Sequence, residues 1–385
     1  MQDFYPASDE LLFTPGPLTT SDSVKQAMLR DVGSRDSDFI ETVRWIRNEL
    51  LSIAGVSVEE GYEAVLLQGS GTFVVEGILS TAIPPDGRLL ILENGVYGRR
   101  MMDIARIHGI PTKVLSCKDN QVCSVEALEA ALDSDPSITS VAVVHCETTT
   151  GIMNPIQEIG RVVARYDKKY IVDSMSAFGA IPVDFRASHI DYLASSANKC
   201  IEGTPGFGFA ICRRDSLLET GGWARALSLD LFAQWKGLED NGQFRFTPPT
   251  HVILAFAQAL KELDREGGVK GRGKRYQTNH RCLVSKMREL GFREHVPSRH
   301  QGPIITSFRY PEDSAFDFQR LYDRLKDQGF VIYPGSGDST CFRIGTIGQI
   351  TPEDVENLVA AIRFSLEEMG VAIPISRARS VTPVV

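Results

Sequence analysis

Five short apolar runs, at residues 63–67, 88–92, 139–145, 170–172 and 192–196, each end in small or polar residues, and stretches with helical spacing separate the earlier ones. Runs this short and apolar read as strands buried on both faces. Repeated with helices between them, they point to an α/β fold with a mostly parallel sheet flanked by helices. In such sheets ligands gather beyond the carboxyl ends of the strands. Here those ends carry Gly69-Ser70-Gly71-Thr72, Tyr97, Thr148, Asp173 and Lys199.

Lys199 follows the last run and precedes a glycine-rich turn, Gly203-Thr204-Pro205-Gly206-Phe207-Gly208. The end of a buried strand is where an enzyme places an amine that must lose its proton, which makes Lys199 a candidate Schiff-base lysine. A solvated surface charge is the ordinary alternative. Asp173 lies one connection and one strand earlier, so it can face the same pocket, although alone it reads as a turn or cap residue. At Gly69-Ser70-Gly71-Thr72 a strand, a small-residue turn and a helix start bring free N–H groups and hydroxyls together, as in a phosphate site. Alone, that stretch reads first as a plain turn. It is neither a P-loop nor a dinucleotide fingerprint, since no lysine follows the glycines and G-x-G-x-x-G is absent. Tyr97, in the glycine-bordered loop Glu93-Asn94-Gly95-Val96-Tyr97-Gly98, can stack on a planar ring or cap the core.

With 385 residues the chain has room for one large α/β domain and a smaller companion. The expected division is an N-terminal arm over 1–20, a large domain over 21–265, a small C-terminal α/β domain over 266–372 and a disordered tail over 373–385. Thr14-Pro15-Gly16-Pro17 in the arm is an extended turn, suited to crossing a surface or a subunit boundary. Helices are expected at 38–54, 73–82, 99–108, 156–166, 252–266, 316–328 and 351–369, and small-domain strands at 304–308, 330–333 and 341–344. Residues 223–235 read as irregular, and the basic, glycine-rich stretch 267–275 as a solvated bend.

A net charge of −8 argues against nucleic acid or an anionic membrane as the main partner. The seven cysteines are scattered without a C-x-x-C pair, and so read as reduced thiols rather than a disulfide framework or a zinc site. The first residues lack a basic region leading into an apolar stretch, and no run of about 18 apolar residues occurs, so a cytoplasmic location is expected.

Longer stretches carry a family likeness. Leu67-Gln68-Gly69-Ser70-Gly71, His145-Cys146-Glu147-Thr148-Thr149-Thr150-Gly151, Val172-Asp173-Ser174-Met175-Ser176-Ala177-Phe178-Gly179, Ser195-Ser196-Ala197-Asn198-Lys199-Cys200-Ile201-Glu202-Gly203 and Phe244-Arg245-Phe246-Thr247-Pro248-Pro249-Thr250-His251 are the stretches concerned. Through them nearly the whole chain resembles the fold-type I pyridoxal phosphate enzymes, in the subgroup of small class V aminotransferases.

The resemblance implies pyridoxal 5'-phosphate as cofactor and no metal. It implies that Lys199 bonds the cofactor covalently and later serves as acid and base, that Asp173 pairs with the ring nitrogen, that Tyr97 stacks on the ring, and that Thr148 bonds its phenolic oxygen. Ser70, Gly71 and Thr72 would hold the phosphate, with Thr247 reaching it from a second subunit, which requires a homodimer with shared active sites. Arg343 would clamp the substrate anion. Arg35 stands where the family pattern has a tryptophan, and is a second candidate for a phosphonate's charge. The activity implied is amino transfer from 2-aminoethylphosphonate to pyruvate, giving phosphonoacetaldehyde and L-alanine in phosphonate degradation; the runner-up is serine or alanine as donor with glyoxylate or pyruvate. A cysteine desulfurase of the same fold would need a persulfide-forming cysteine, and Cys341, inside an expected strand, reads instead as an inert thiol. A binding module without catalysis would leave Asp173 and Lys199 without a purpose.

Overall fold

The computed structural model describes residues 10–335 and 340–375. Its centre is a seven-stranded sheet made of β1 (Tyr62–Gln68), β2 (Arg88–Glu93), β3 (Thr112–Ser116), β4 (Ile138–Val144), β5 (Lys169–Asp173), β6 (Tyr192–Ser196) and β7 (Phe207–Arg213), in the spatial order β1-β7-β6-β5-β4-β2-β3. The β3-β2-β4-β5-β6 part is parallel, while β7 runs antiparallel to both β6 and β1. β4, β5 and β6 are buried along almost their whole length, as strands covered by helices on both faces must be.

The connection from β2 leads outward to β3, whereas that from β4 leads the other way to β5. The strand order therefore reverses between β2 and β4, and a crevice opens beyond their carboxyl ends.

The covering helices follow from apolar stripes at helical spacing. Thus α1 (Ser37–Ile53) buries Phe39, Val43, Ile46 and Leu50, and α2 (Gly71–Ala82) buries Val74, Val75, Ile78 and Leu79. Next come α3 (Val96–Ile107), α4 (Val125–Ser134) and α5 (Ile156–Arg165). Residues 223–235, expected to be irregular, instead run into a helix, α6 (Leu231–Asp240). Asp230 caps it by accepting from the Ala233 N–H at 2.9 Å, and the buried Leu231, Gln234 and Leu238 form the stripe that the mixed charge obscured.

A larger difference lies after α7 (Thr250–Arg265). The stretch 267–275, expected as a solvated bend, starts the longest helix, α8 (Gly268–Glu289), and its Arg272 has no exposed surface. Arg272 Nε lies 2.5 Å from Glu266, and Arg275 Nε lies 2.7 Å from the same carboxylate. Counting cations along the chain missed the acids that folding brings to them.

Beyond α8 the chain forms a three-stranded antiparallel sheet of β8 (Ile305–Arg309), β9 (Tyr333–Pro334) and β10 (Cys341–Gly345), with α9 (Phe318–Asp327) and α10 (Pro352–Met369) packed on it. Residues 330–333, expected as one strand, are split: Phe330–Val331 pairs in parallel with Leu11–Leu12, and Tyr333–Pro334 pairs with β10. Phe13 joins this second core, beside Leu283, Phe308, Phe342 and Leu358. From residue 376 onward, the expected tail lies outside the described residues. A small cluster holding Leu18, Cys146, Ala177, Cys200, Tyr276 and Ile347 joins the two halves next to the crevice.

Candidate active site

A cavity of about 180 Å³ sits beyond the carboxyl ends of the strands. Ser70, Gly71 and Thr72 after β1, Tyr97 and Arg100 on α3, Asp173 and Met175 after β5, and Ser196, Asn198 and Lys199 after β6 line it. Tyr97 was expected in a loop; it stands in the first turn of α3, because Gly95 serves as the helix N-cap and the Glu147 carboxylate accepts from the Tyr97 N–H at 3.1 Å. The cap comes from a distant strand end, which local sequence does not reveal.

The Lys199 amine donates to the carbonyls of Pro15 at 2.7 Å and Gly16 at 3.2 Å, so the arm crosses directly over it. Only glycine fits at 16. Its φ is +103°, and a Cβ there would lie 2.7 Å from Lys199 Cδ and 2.8 Å from the Asn198 carbonyl. Burial lowers the Lys199 pKa to about 8, against the opposing pull of anions such as Asp173. Asp173, itself 5% exposed, is pushed up to about 6 by burial, while the Met175 N–H on Oδ1 at 2.9 Å and the nearby Arg100 and Lys199 pull it back. Near neutral pH the carboxyl is mainly ionised, and a usable fraction of the amine is neutral.

Behind Asp173 sits His145, whose N–H donates to the Asp173 carbonyl and whose Nδ1 lies 2.9 Å from Ser174 Oγ. Burial takes its imidazole down to about 4, so the ring meets Ser174 in its neutral form.

The N-terminus of α2 opens on the cavity, and the side chain of its N-cap, Ser70, does not occupy it. Free N–H groups there form a place for an anion. A Cβ at Gly71 would fall 2.2 Å from Met175 Sδ, so a larger residue there would displace the Met175 side chain that lines the cavity. Arg100 adds a cation: its Nη1 donates to Thr72 Oγ1 at 3.0 Å, and its guanidinium lies 4.8 Å from the centre of the Tyr97 ring. Sequence reading passed over Arg100, although it lies three residues after Tyr97, the spacing of helix neighbours.

Two buried hydroxyls at this end of the sheet, Thr148 Oγ1 and Ser196 Oγ, have no hydrogen-bond partner. Buried hydroxyls are normally paired, so these two point to a ligand that supplies the partner.

Thr148 is not among the residues that line this cavity, and three more expected residues lie outside its lining. Arg343 is half-buried on β10, where Nη1 donates to the Thr148 carbonyl at 3.0 Å and Nε to that of Pro334 at 2.8 Å. Thr247 is exposed, and its carbonyl lies 3.3 Å from Gln68 Nε2. Arg35 is exposed in the turn before α1.

Sequence reading also missed what fixes the Lys199 turn. Glu202, in the left-handed region at φ 65° and 1% exposed, accepts from Arg275 Nη2 at 2.7 Å, Gln349 Nε2 at 2.6 Å and the Tyr276 hydroxyl. Arg272 Nη1 donates to the Cys200 carbonyl at 2.6 Å. The lysine turn is thus tied to α8 by buried charge.

The sequence family Aminotransferase class-V matches residues 21–366. The chain belongs to the class-V aminotransferases. A 2-aminoethylphosphonate--pyruvate transaminase of Salmonella paratyphi C is 53% identical to this class-V aminotransferase over 359 residues, covering 92% of this chain and 97% of that protein. Among solved structures, a pyridoxamine-pyruvate aminotransferase of Mesorhizobium loti matches with a TM-score of 0.87 at 22% identity, covering 96% of each chain. An alanine--glyoxylate aminotransferase of Nostoc sp. matches with a TM-score of 0.86 at 24% identity, covering 95% of this chain and 97% of that one. These two share its fold. Within that fold Cys341 is buried in β10 opposite Arg309, and burial raises its thiol, which leaves it poorly suited to act as a nucleophile.

Proposed function

We propose that this class-V aminotransferase transfers the amino group of 2-aminoethylphosphonate to pyruvate, giving phosphonoacetaldehyde and L-alanine, with pyridoxal 5'-phosphate as cofactor. The observation that carries the reading is the meeting of Lys199, its amine lowered to about 8, with the buried Asp173 in one cavity. Substrate choice rests on the 53% identity to an enzyme named for that reaction.

The residues present fit the cofactor. The open N-terminus of α2 with Ser70, Gly71, Thr72 and Arg100 suits its phosphate, the unpartnered Thr148 hydroxyl its phenolic oxygen, Tyr97 its ring face and Asp173 its ring nitrogen. When bound, the cofactor supplies an electron-withdrawing ring that stabilises negative charge on the substrate carbon.

The chain's own groups do the rest. Asp173, ionised beside Arg100 and Lys199, holds a positive charge at the ring nitrogen. Lys199 is the attachment lysine; once released, its neutral amine takes a proton from the amine-bearing carbon and returns one on the far side of the transfer. The arm at Pro15 and Gly16 covers that amine and limits water around it. Arg343 leaves Nη2 without a protein acceptor among the described residues, and offers it to the phosphonate of one substrate and the carboxylate of the other.

A homodimer working in the cytoplasm completes the proposal. Phe73 and Phe246, 49% and 44% exposed, lie close to Gln68 and Gly69 at the cavity mouth, and with Thr247 they supply a face for a second subunit. No helix among the described residues is long and apolar enough to cross a membrane.

Alanine formation from pyruvate, measured with 2-aminoethylphosphonate or L-serine as donor, tests the function. The phosphonate is expected to support turnover well above serine, with Lys199→Ala inactive on both. Serine as the preferred donor would replace the substrate assignment with the runner-up.

A further inference from the structure

Cys117 and Cys123, six positions apart on the chain, meet in space. Cys117 directly follows β3, and Cys123 directly precedes Ser124, the N-cap of α4, whose hydroxyl accepts from the Ala127 N–H at 3.1 Å. Their sulfurs are 2.6 Å apart. That is closer than unbonded sulfurs sit at rest and within about an ångström of the covalent S–S length.

Both ends of the loop between them are fixed. The Cys117 N–H donates to the Glu93 carbonyl at 2.8 Å, and the Gln121 N–H closes a turn on the Lys118 carbonyl at 3.0 Å. Cys123 is 2% exposed and Cys117 is half-buried, so of the two residues Cys117 is the more open to solvent. The contact also lowers the Cys117 thiol below its ordinary range and, together with burial, raises that of Cys123, so Cys117 is the member of the pair suited to attack first. The other five cysteines show no sulfur–sulfur contact among the described residues: Cys146 and Cys200 share an apolar cluster without one, Cys212 and Cys341 are buried elsewhere, and Cys282 donates to a backbone carbonyl.

We propose that Cys117 and Cys123 are a modification site, forming a reversible intramolecular disulfide with a small disulfide such as oxidised glutathione as the oxidant. The Cys117 thiolate attacks one sulfur of the small disulfide, forming a mixed disulfide and expelling one thiolate. Cys123 then gives up its proton to water and attacks the Cys117 sulfur, expelling the second thiolate. The protein sulfurs lose two electrons together, and the small disulfide gains them as two thiols.

The bond would lock the loop carrying Asp119 and Gln121. Asp119 lies 3.2 Å from His295 of the smaller half, and the Gln121 carbonyl accepts from Asn94 Nδ2 at 3.0 Å, just before the start of α3. The pair is therefore placed to stiffen the support of Tyr97.

The test equilibrates the native holoprotein with graded ratios of oxidised to reduced glutathione, quenches with acid, alkylates under denaturing conditions and maps the peptides. The expected result is a linked Cys117–Cys123 peptide that forms and reverses with the ratio while the other five thiols stay alkylatable. Cys123→Ser, checked for folding by its absorption and melting, should instead stop at a glutathione adduct on Cys117. A wild-type protein that stops at that adduct, or keeps both thiols free until it unfolds, overturns the proposal. Neither readout depends on turnover, so the test stands apart from the assignment of substrate.

Discussion

Replacing Lys199 by methionine keeps most of the side chain's volume and removes a cation from a place that disfavours one. In the folded chain the amine sits at about 8 against an ordinary 10.5. Keeping it protonated near neutral pH therefore costs the folded state about 3 kcal/mol. The substitution also leaves the Pro15 and Gly16 carbonyls without their donor, a loss of about 1 kcal/mol each. The net expectation is a cofactor-free variant about 1 kcal/mol more stable than the parent near pH 7, with no transaminase activity. The pH dependence carries the sharper test. Between about 8 and 10.5 the unfolded amine holds a proton that the folded one has lost, so the parent gains stability as pH rises through that window, and the variant lacks this gain. Below pH 8 the difference between them is constant. Urea unfolding of both cofactor-free proteins at one protein concentration, from pH 7 to 10.5, measures it. A difference that stays flat across the whole range would refute the reasoning that burial makes this amine neutral.

Other groups give separate expectations. Thr148→Val removes a buried hydroxyl without a partner, so cofactor-free stability should hold or rise by about 1 kcal/mol while cofactor affinity falls roughly fivefold, measured by denaturation and equilibrium dialysis. Arg272→Met leaves Glu266 and the buried Glu202 short of a cation, and should cost about 3 kcal/mol in urea unfolding. Gly16→Ala forces a Cβ against Lys199 Cδ and the Asn198 carbonyl at a left-handed φ, and should lower kcat at least tenfold with a smaller change in melting temperature.

What was legible along the chain was whatever is written in local pattern. Short apolar runs ending at Gln68, Asp173 and Ser196 reveal buried strands and the side of the sheet where Lys199 and Asp173 meet. The reversal of β7 was missed, although the stretch between Ser196 and Phe207 is short for the crossover that a parallel neighbour needs. The other misses depend on partners far away in sequence. Tyr97 begins a helix because Glu147 caps it, and Arg272 is buried because Glu202 and Glu266 come to meet it. Arg100 looks like one surface cation among many until folding sets it beside Thr72 at a helix N-terminus. Thr247 and Arg35 illustrate another limit, for both are exposed and neither lines the cavity that holds Lys199 and Asp173.

The central claim is that Lys199 carries the chemistry. Reducing the cofactor-loaded protein with borohydride and mapping its peptides tests this most directly. The cofactor's mass should be found on the peptide containing Lys199, and prior incubation with 2-aminoethylphosphonate in the absence of a keto acid should abolish that label. A label on another lysine, or none at all, would contradict the account.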